Sequence, residues 1–166
     1  MRASPNDKGI DFTHILDSLS STQEDTMPEL VATYSTALLA LGVLTLLMVV
    51  QATIAGIVKN VISGQPAGVT VRGNIEHRTF RVVRSHENSV ENFSALMAAS
   101  LLAMIAGASP TWVTYLVVAA VVLRLLHWVF YVMRIGPDAG GPRTIAYVLG
   151  LLINLALAIM AIIALM

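Results

Sequence analysis

The stretch RSHENSVENF, Arg84 to Phe93, runs without a break into the apolar segment SALMAASLLAMIAG, Ser94 to Gly107. A bilayer offers no water to hydrogen-bond a polar side chain, so a cluster of Arg, His, Glu and Asn at the head of an apolar helix needs protein partners or a ligand. The fold reading follows from how the rest of the chain answers that need.

Of the 166 residues, 56% are hydrophobic and only 12% are charged, about half the charge of a soluble domain. Leu30 to Val58 and Thr144 to Met166 contain no charged residue, and each is longer than the roughly 20 apolar residues a helix needs to cross a bilayer. The expected fold is therefore an all-α integral membrane protein. Four transmembrane helices are predicted, over about Leu30–Val58, Phe93–Ala108 with a lead-in from Arg78, Thr111–Met133 and Arg143–Leu165. GASPT makes a tight turn in which Pro110 restarts a helix, and IGPDAGGP reads as a loop.

Residues 1–29 form a polar, acidic N-terminal extension, and 30–166 form the transmembrane domain. The extension lacks a basic stretch followed by an apolar one and does not read as a signal peptide. Its segment FTHILDSL is expected to form one or two amphipathic turns, and MPEL at Met27 reads as a second candidate start. With no cysteine in the chain, disulfides, protein thiolates and Cys-ligated metals are excluded. A formal net charge of zero argues against nucleic acid as a partner. His86 and His127 belong to no convincing ligand cluster, and no metal is expected.

The basic residues set the expected orientation. Lys59, Arg72, Arg78, Arg81 and Arg84 flank or lie in the first loop, and Arg134 and Arg143 bound the third, while the GASPT turn has none. The positive-inside rule places loops one and three in the cytoplasm and both termini on the opposite side.

The intramembrane polar residues fall on narrow stripes. Arg81, Arg84, Asn88 and Glu91 share an arc of about 80° on the second helix. Arg124, His127 and Tyr131 share one on the third, and Arg143, Tyr147, Gly150 and Asn154 on the fourth. Arg124 lies roughly 15 Å into the bilayer from Arg134, and Glu91 is its expected acidic partner. The stripes predict a polar cavity open to the cytoplasm and net cationic, suited to a ligand bearing carboxylates. Basic groups there would also favour the thiolate form of a bound thiol.

The same residues carry a resemblance. Arg84-x-His86-x-Asn88-x-x-Glu91-Asn92, Arg124-x-x-His127-x-x-x-Tyr131 and Arg143-Thr144-x-x-Tyr147 resemble the helix signatures of a bacterial-type member of the MAPEG family. The name stands for membrane-associated proteins in eicosanoid and glutathione metabolism, and the family includes microsomal glutathione transferases and microsomal prostaglandin E synthase. TIAGIVKNV, with Lys59, is similar to the family's basic segment at the end of the first helix.

The resemblance implies a four-helix bundle assembled as a homotrimer in the membrane (the inner membrane in a bacterium). Its active sites lie between subunits near the cytoplasmic face. Glutathione is the implied co-substrate, with Lys59, Arg81, Arg84, Asn88, Glu91, Arg124, Tyr131 and Tyr147 binding it or shaping its pocket. Arg143 is the implied thiolate-stabilising catalytic residue, Thr144 its hydroxyl neighbour, and His86 and His127 packing or network residues. The second substrate is a small hydrophobic electrophile or lipid from the bilayer. The expected activity is glutathione transfer or glutathione-dependent peroxide reduction. The alternative is a non-catalytic, lipid-binding or scaffold subunit of the same fold. A small transporter built around Arg124 is a third reading, opposed by the almost wholly apolar outer halves of the helices. The chain departs from the family pattern at Glu87, where a basic or apolar residue is common, and in ENFSALM, which lacks a motif-proximal proline.

Overall fold

The computed structural model describes residues 13, 27–137 and 140–166. Of the acidic extension only Thr13 and residues 27–29 are described, and the FTHILDSL patch lies outside the described residues except for Thr13. The chain divides into two units, 1–33 and 34–166; in the first, residues 27–33 are helical. The second unit contains four long helices and, among the described residues, no strand.

Helix α1 spans Ser35–Gly56 and passes directly into a π-helical turn, Ile57–Ile62. Its inward face is Ala37, Leu41, Leu44, Met48, Gln51 and Ala55, a three-and-four spacing that keeps one stripe toward the neighbouring helices. Thr45 and Thr53 donate their hydroxyls to the carbonyls of Leu41 and Val49, one turn back, at 2.9 Å. Such back-bonding satisfies a hydroxyl where water is absent. The π turn departs from the sequence expectation of a helix ending at Val58. It lengthens the span to Ser35–Ile62 and carries Lys59 out to the loop, where its ammonium donates to the Val69 carbonyl.

Helix α2 covers Arg78–Ile105. Its start is organised by Asn74, whose carboxamide oxygen accepts the Glu76 N–H at 3.0 Å. Its polar first half buries Ser85, Ser89 and Asn92, each bonded to its own helix: Ser85 to the Val82 carbonyl, Ser89 to Ser85 and Asn92 to Asn88. The helix closes on Gly107 at φ 73°, a left-handed residue that turns the last carbonyls onto the N–H groups of Gly107 and Ala108. Tyr34 donates its hydroxyl to the Ala108 carbonyl, and Pro110 then occupies the first turn of the next helix. The GASPT turn therefore has the predicted form.

Helix α3, Pro110–Met133, buries Val113, Val117, Ala120, Val121, Arg124 and His127. Helix α4, Pro142–Leu165, buries Ala146, Gly150, Asn154, Leu157 and Ala161. In the connection between them a Cβ on Gly136, at φ 86°, would stand 2.5 Å from Pro142, so glycine is required there. Helix α4 packs on α3 and α2, and α1 packs on α2 and α3. Most side chains of α1, α3 and α4 face outward, among them Leu39, Leu46, Tyr115, Val122, Leu152 and Ile163. This inversion of the soluble pattern, with three helices long and apolar enough to span, fits a lipid environment. Helix α2 does not share that uniform hydropathy, because its charges occupy its first half.

One end of the unit is stapled by arginines. Arg81 donates Nε to the Val132 carbonyl at 3.0 Å and Nη1 to the Ile75 and Glu76 carbonyls at 2.9 Å. Arg134, the one non-glycine residue with positive φ among the described residues, at 56°, forks onto the Glu76 carboxylate. The first loop is thereby tied to the end of α3. Charged donors to backbone carbonyls contribute more than neutral ones, so Arg81→Met should lower unfolding stability in detergent by about 2 kcal/mol or more. Arg78→Met, on the exposed side of the same turn, should cost under about 0.5 kcal/mol. Thermal unfolding of both variants checks this.

Candidate functional site

A cleft of about 180 Å³ opens where the first half of α2, the last two turns of α3 and the first turn of α4 meet. Asn88, His127, Tyr131, Arg143, Thr144 and Tyr147 line it. Asn88 comes from the α2 stripe. His127 and Tyr131 are four residues apart on α3, as Arg143 and Tyr147 are on α4, so each helix presents a matched pair to the same side.

The side chains are ordered as a stack. The Arg143 guanidinium lies 5.1 Å from the Tyr131 ring centre, and Tyr131 lies 5.7 Å from His127. His127 is in turn 5.9 Å from Tyr147, and the Arg124 guanidinium caps the far end, 5.6 Å from the Tyr147 ring centre. Both cation–ring separations are within the roughly 6 Å over which a ring face attracts a cation. Two guanidiniums thus bracket three aromatic rings. Arg143 stands at the start of α4, where the helix dipole adds positive potential.

The sequence-predicted residues divide into three groups. Asn88, Tyr131, Arg143 and Tyr147, with Thr144, converge on the cleft. Arg84 and Glu91 lie one turn from Asn88 and pair with each other: Arg84 Nη1 donates to Glu87 at 3.0 Å and to Glu91 at 3.3 Å. Lys59, Arg81 and Arg124 do not line the cleft. Lys59 and Arg81 bond loop and helix-end carbonyls, and Arg124 faces a separate narrow void among Leu44, Met48, Ser89, Asn92, Phe93 and Leu96.

The expected Glu91–Arg124 ion pair is not formed. Glu91 is half exposed and held by Arg84, whereas Arg124 is 4% exposed, and its two terminal nitrogens have no hydrogen-bond partner among the described residues. The two groups face different surroundings: Glu91 is exposed on α2 and paired with Arg84, whereas the Arg124 guanidinium is buried against Gly150 of α4 and the void toward α1 and α2. His127, expected as a packing or network residue, lines the cleft between Tyr131 and Tyr147; its place on the Arg124–Tyr131 stripe carries that signal. Among the described residues no three His, Asp or Glu side chains gather as a metal site.

The chain matches the family model described as the MAPEG family over residues 31–163. It belongs to that family. Among curated proteins none matches it. Membership fits a membrane role in glutathione or eicosanoid metabolism.

The observed pairing changes the expected energetics. Arg84 and Glu91 are each about half exposed, so their double-mutant coupling in thermal unfolding should lie below about 1 kcal/mol. Glu91→Gln and Arg124→Met should be additive within about 0.5 kcal/mol. A large coupling between the latter two would restore the pair that the geometry removes.

Proposed function

We propose that the protein is a membrane-embedded glutathione transferase, or glutathione-dependent peroxidase, acting on small hydrophobic electrophiles. The carrying observation is Arg143, placed over the Tyr131 ring at the head of α4 and at the edge of a cleft lined by Asn88, Thr144 and Tyr147. A chain without cysteine must bring its thiol in as substrate. The guanidinium and the α4 N-terminus would favour the thiolate over the thiol by about 1–3 kcal/mol. The thiolate sulfur then forms the new bond to the electrophile, the leaving group takes the displaced electron pair, and the thiol proton passes to solvent. Asn88, the Arg84–Glu87–Glu91 cluster and Tyr147 are the groups proposed to bind the rest of the peptide.

In this reading α2 also crosses the bilayer. Its 28 residues span about 42 Å, with the charged half at the cytoplasmic boundary and Phe93–Ile105 within the membrane. The first and third loops face the cytoplasm, and the unit assembles as a homotrimer whose subunits complete one another's sites with residues such as Lys59. The competing reading, a lipid-binding subunit without catalysis, draws on Glu87: with Glu91 it places two carboxylates on Arg84 and weakens the local positive charge.

Ultraviolet thiolate absorbance on mixing protein with glutathione separates the two. The parent should form thiolate, and Arg143→Ala should lose it while retaining glutathione, with turnover of a model electrophile falling about tenfold or more. Binding without thiolate in the parent would leave the lipid-binding reading. The orientation has its own check. A single cysteine introduced as Ser109→Cys should react with an impermeant reagent only from the side opposite the cytoplasm; labelling from the cytoplasm reverses the topology.

A further inference from the structure

Arg124 occupies a notch. A Cβ built on Gly150 would stand 2.7 Å from its Nη2, 3.4 Å from Cζ and 3.5 Å from Nε, so the whole planar guanidinium lies against the bare backbone of α4. With no hydrogen bond at either terminal nitrogen among the described residues, the guanidinium lies between the glycine surface and the face of Tyr147 at 5.6 Å, beside the narrow void toward α1 and α2. Tyr147 is one turn before Gly150 on the same helix and forms part of the cleft wall. Arg124 itself stays behind that wall, 4% exposed.

The geometry points to Gly150 and Arg124 as a positioning pair: the missing side chain at 150 admits the Arg124 guanidinium, and the guanidinium sets the Tyr147 ring at the wall of the cleft. Arg124 is then a positioning residue rather than a ligand contact. A methyl at 150 meets the far end of a flexible side chain, so the helix holds and the guanidinium is displaced. Tyr147 loses the cation on its face and gains freedom to tilt against His127, its neighbour in the stack at 5.9 Å. The proposal depends on the glutathione reading only for what the cleft binds; the ring position is independent of it.

The test uses the full chain in detergent with meta-fluorotyrosine incorporated and fluorine NMR. The chain has four tyrosines, and Tyr147→Phe assigns the relevant line. Gly150→Ala and Arg124→Met should each shift the Tyr147 line and leave Tyr115 in place, and adding Gly150→Ala to Arg124→Met should shift it no further. In the same preparations Gly150→Ala should raise KM for glutathione about fivefold while kcat stays within about twofold. An unmoved Tyr147 line overturns the proposal. So does an equal shift from Gly150→Ala with Arg124→Met already present, since Gly150 would then act along its own helix. A shifted line with unchanged KM reduces the pair to packing and overturns its positioning role. If Gly150→Ala does not fold, an unmoved line in Arg124→Met overturns the proposal alone. A parent that ignores glutathione refutes the functional reading, and the fluorine shifts still decide the pair.

Discussion

A full positive charge inside an apolar bundle must be accommodated by the helices around it, because the membrane supplies neither water nor counter-ion, and Arg124 places that demand on this chain. Its guanidinium is answered by a ring face on α4 and by the absence of a side chain at Gly150. A charge so held costs several kcal/mol to bury, and the protein meets that cost with packing. The rings of Tyr147, His127 and Tyr131 follow from it in sequence, and Arg143 closes the row at the edge of the cleft. The shape of the cleft wall therefore traces back to one buried cation.

The other charges behave differently because water reaches them. Arg81 and Arg134 tie the first loop to the end of α3 through carbonyls and Glu76, and Arg84 shares its Nη1 between Glu87 and Glu91. These contacts are at or near the surface, where an ion pair alone contributes little. Their consequence is geometric: they leave Asn88, one turn further along α2, facing the cleft from an ordered helix start. The proposed chemistry uses that division, with half-exposed charges at the mouth for a soluble peptide and an enclosed aromatic wall behind it.

Much of this architecture was legible in the residues. Charge-free runs marked α1 and α4, Pro110 and Gly107 marked the turn between α2 and α3, and three-and-four spacings put Asn88, Tyr131, Arg143 and Tyr147 on inward faces. Those features depend on interactions within one helix or one turn, which spacing and residue type determine. The π turn at Ile57–Ile62 was not legible, because its hydrogen-bond shift depends on where the following loop must go.

Partnership between helices lay beyond the sequence. It showed a lone acidic residue near Arg124 and paired them, but which groups meet depends on the rotation and depth of each helix. Those put Glu91 beside Arg84 and Arg124 against Gly150. They likewise turned Arg81 and Lys59 toward carbonyls away from this subunit's cleft and drew His127 to its wall. By itself the sequence determined that the polar residues would gather on narrow stripes, which lipid tolerates only against protein or at the membrane boundary. Only the tertiary structure decided which stripe residues touch, since side-chain reach across a helix interface turns on a few ångströms that no periodicity records.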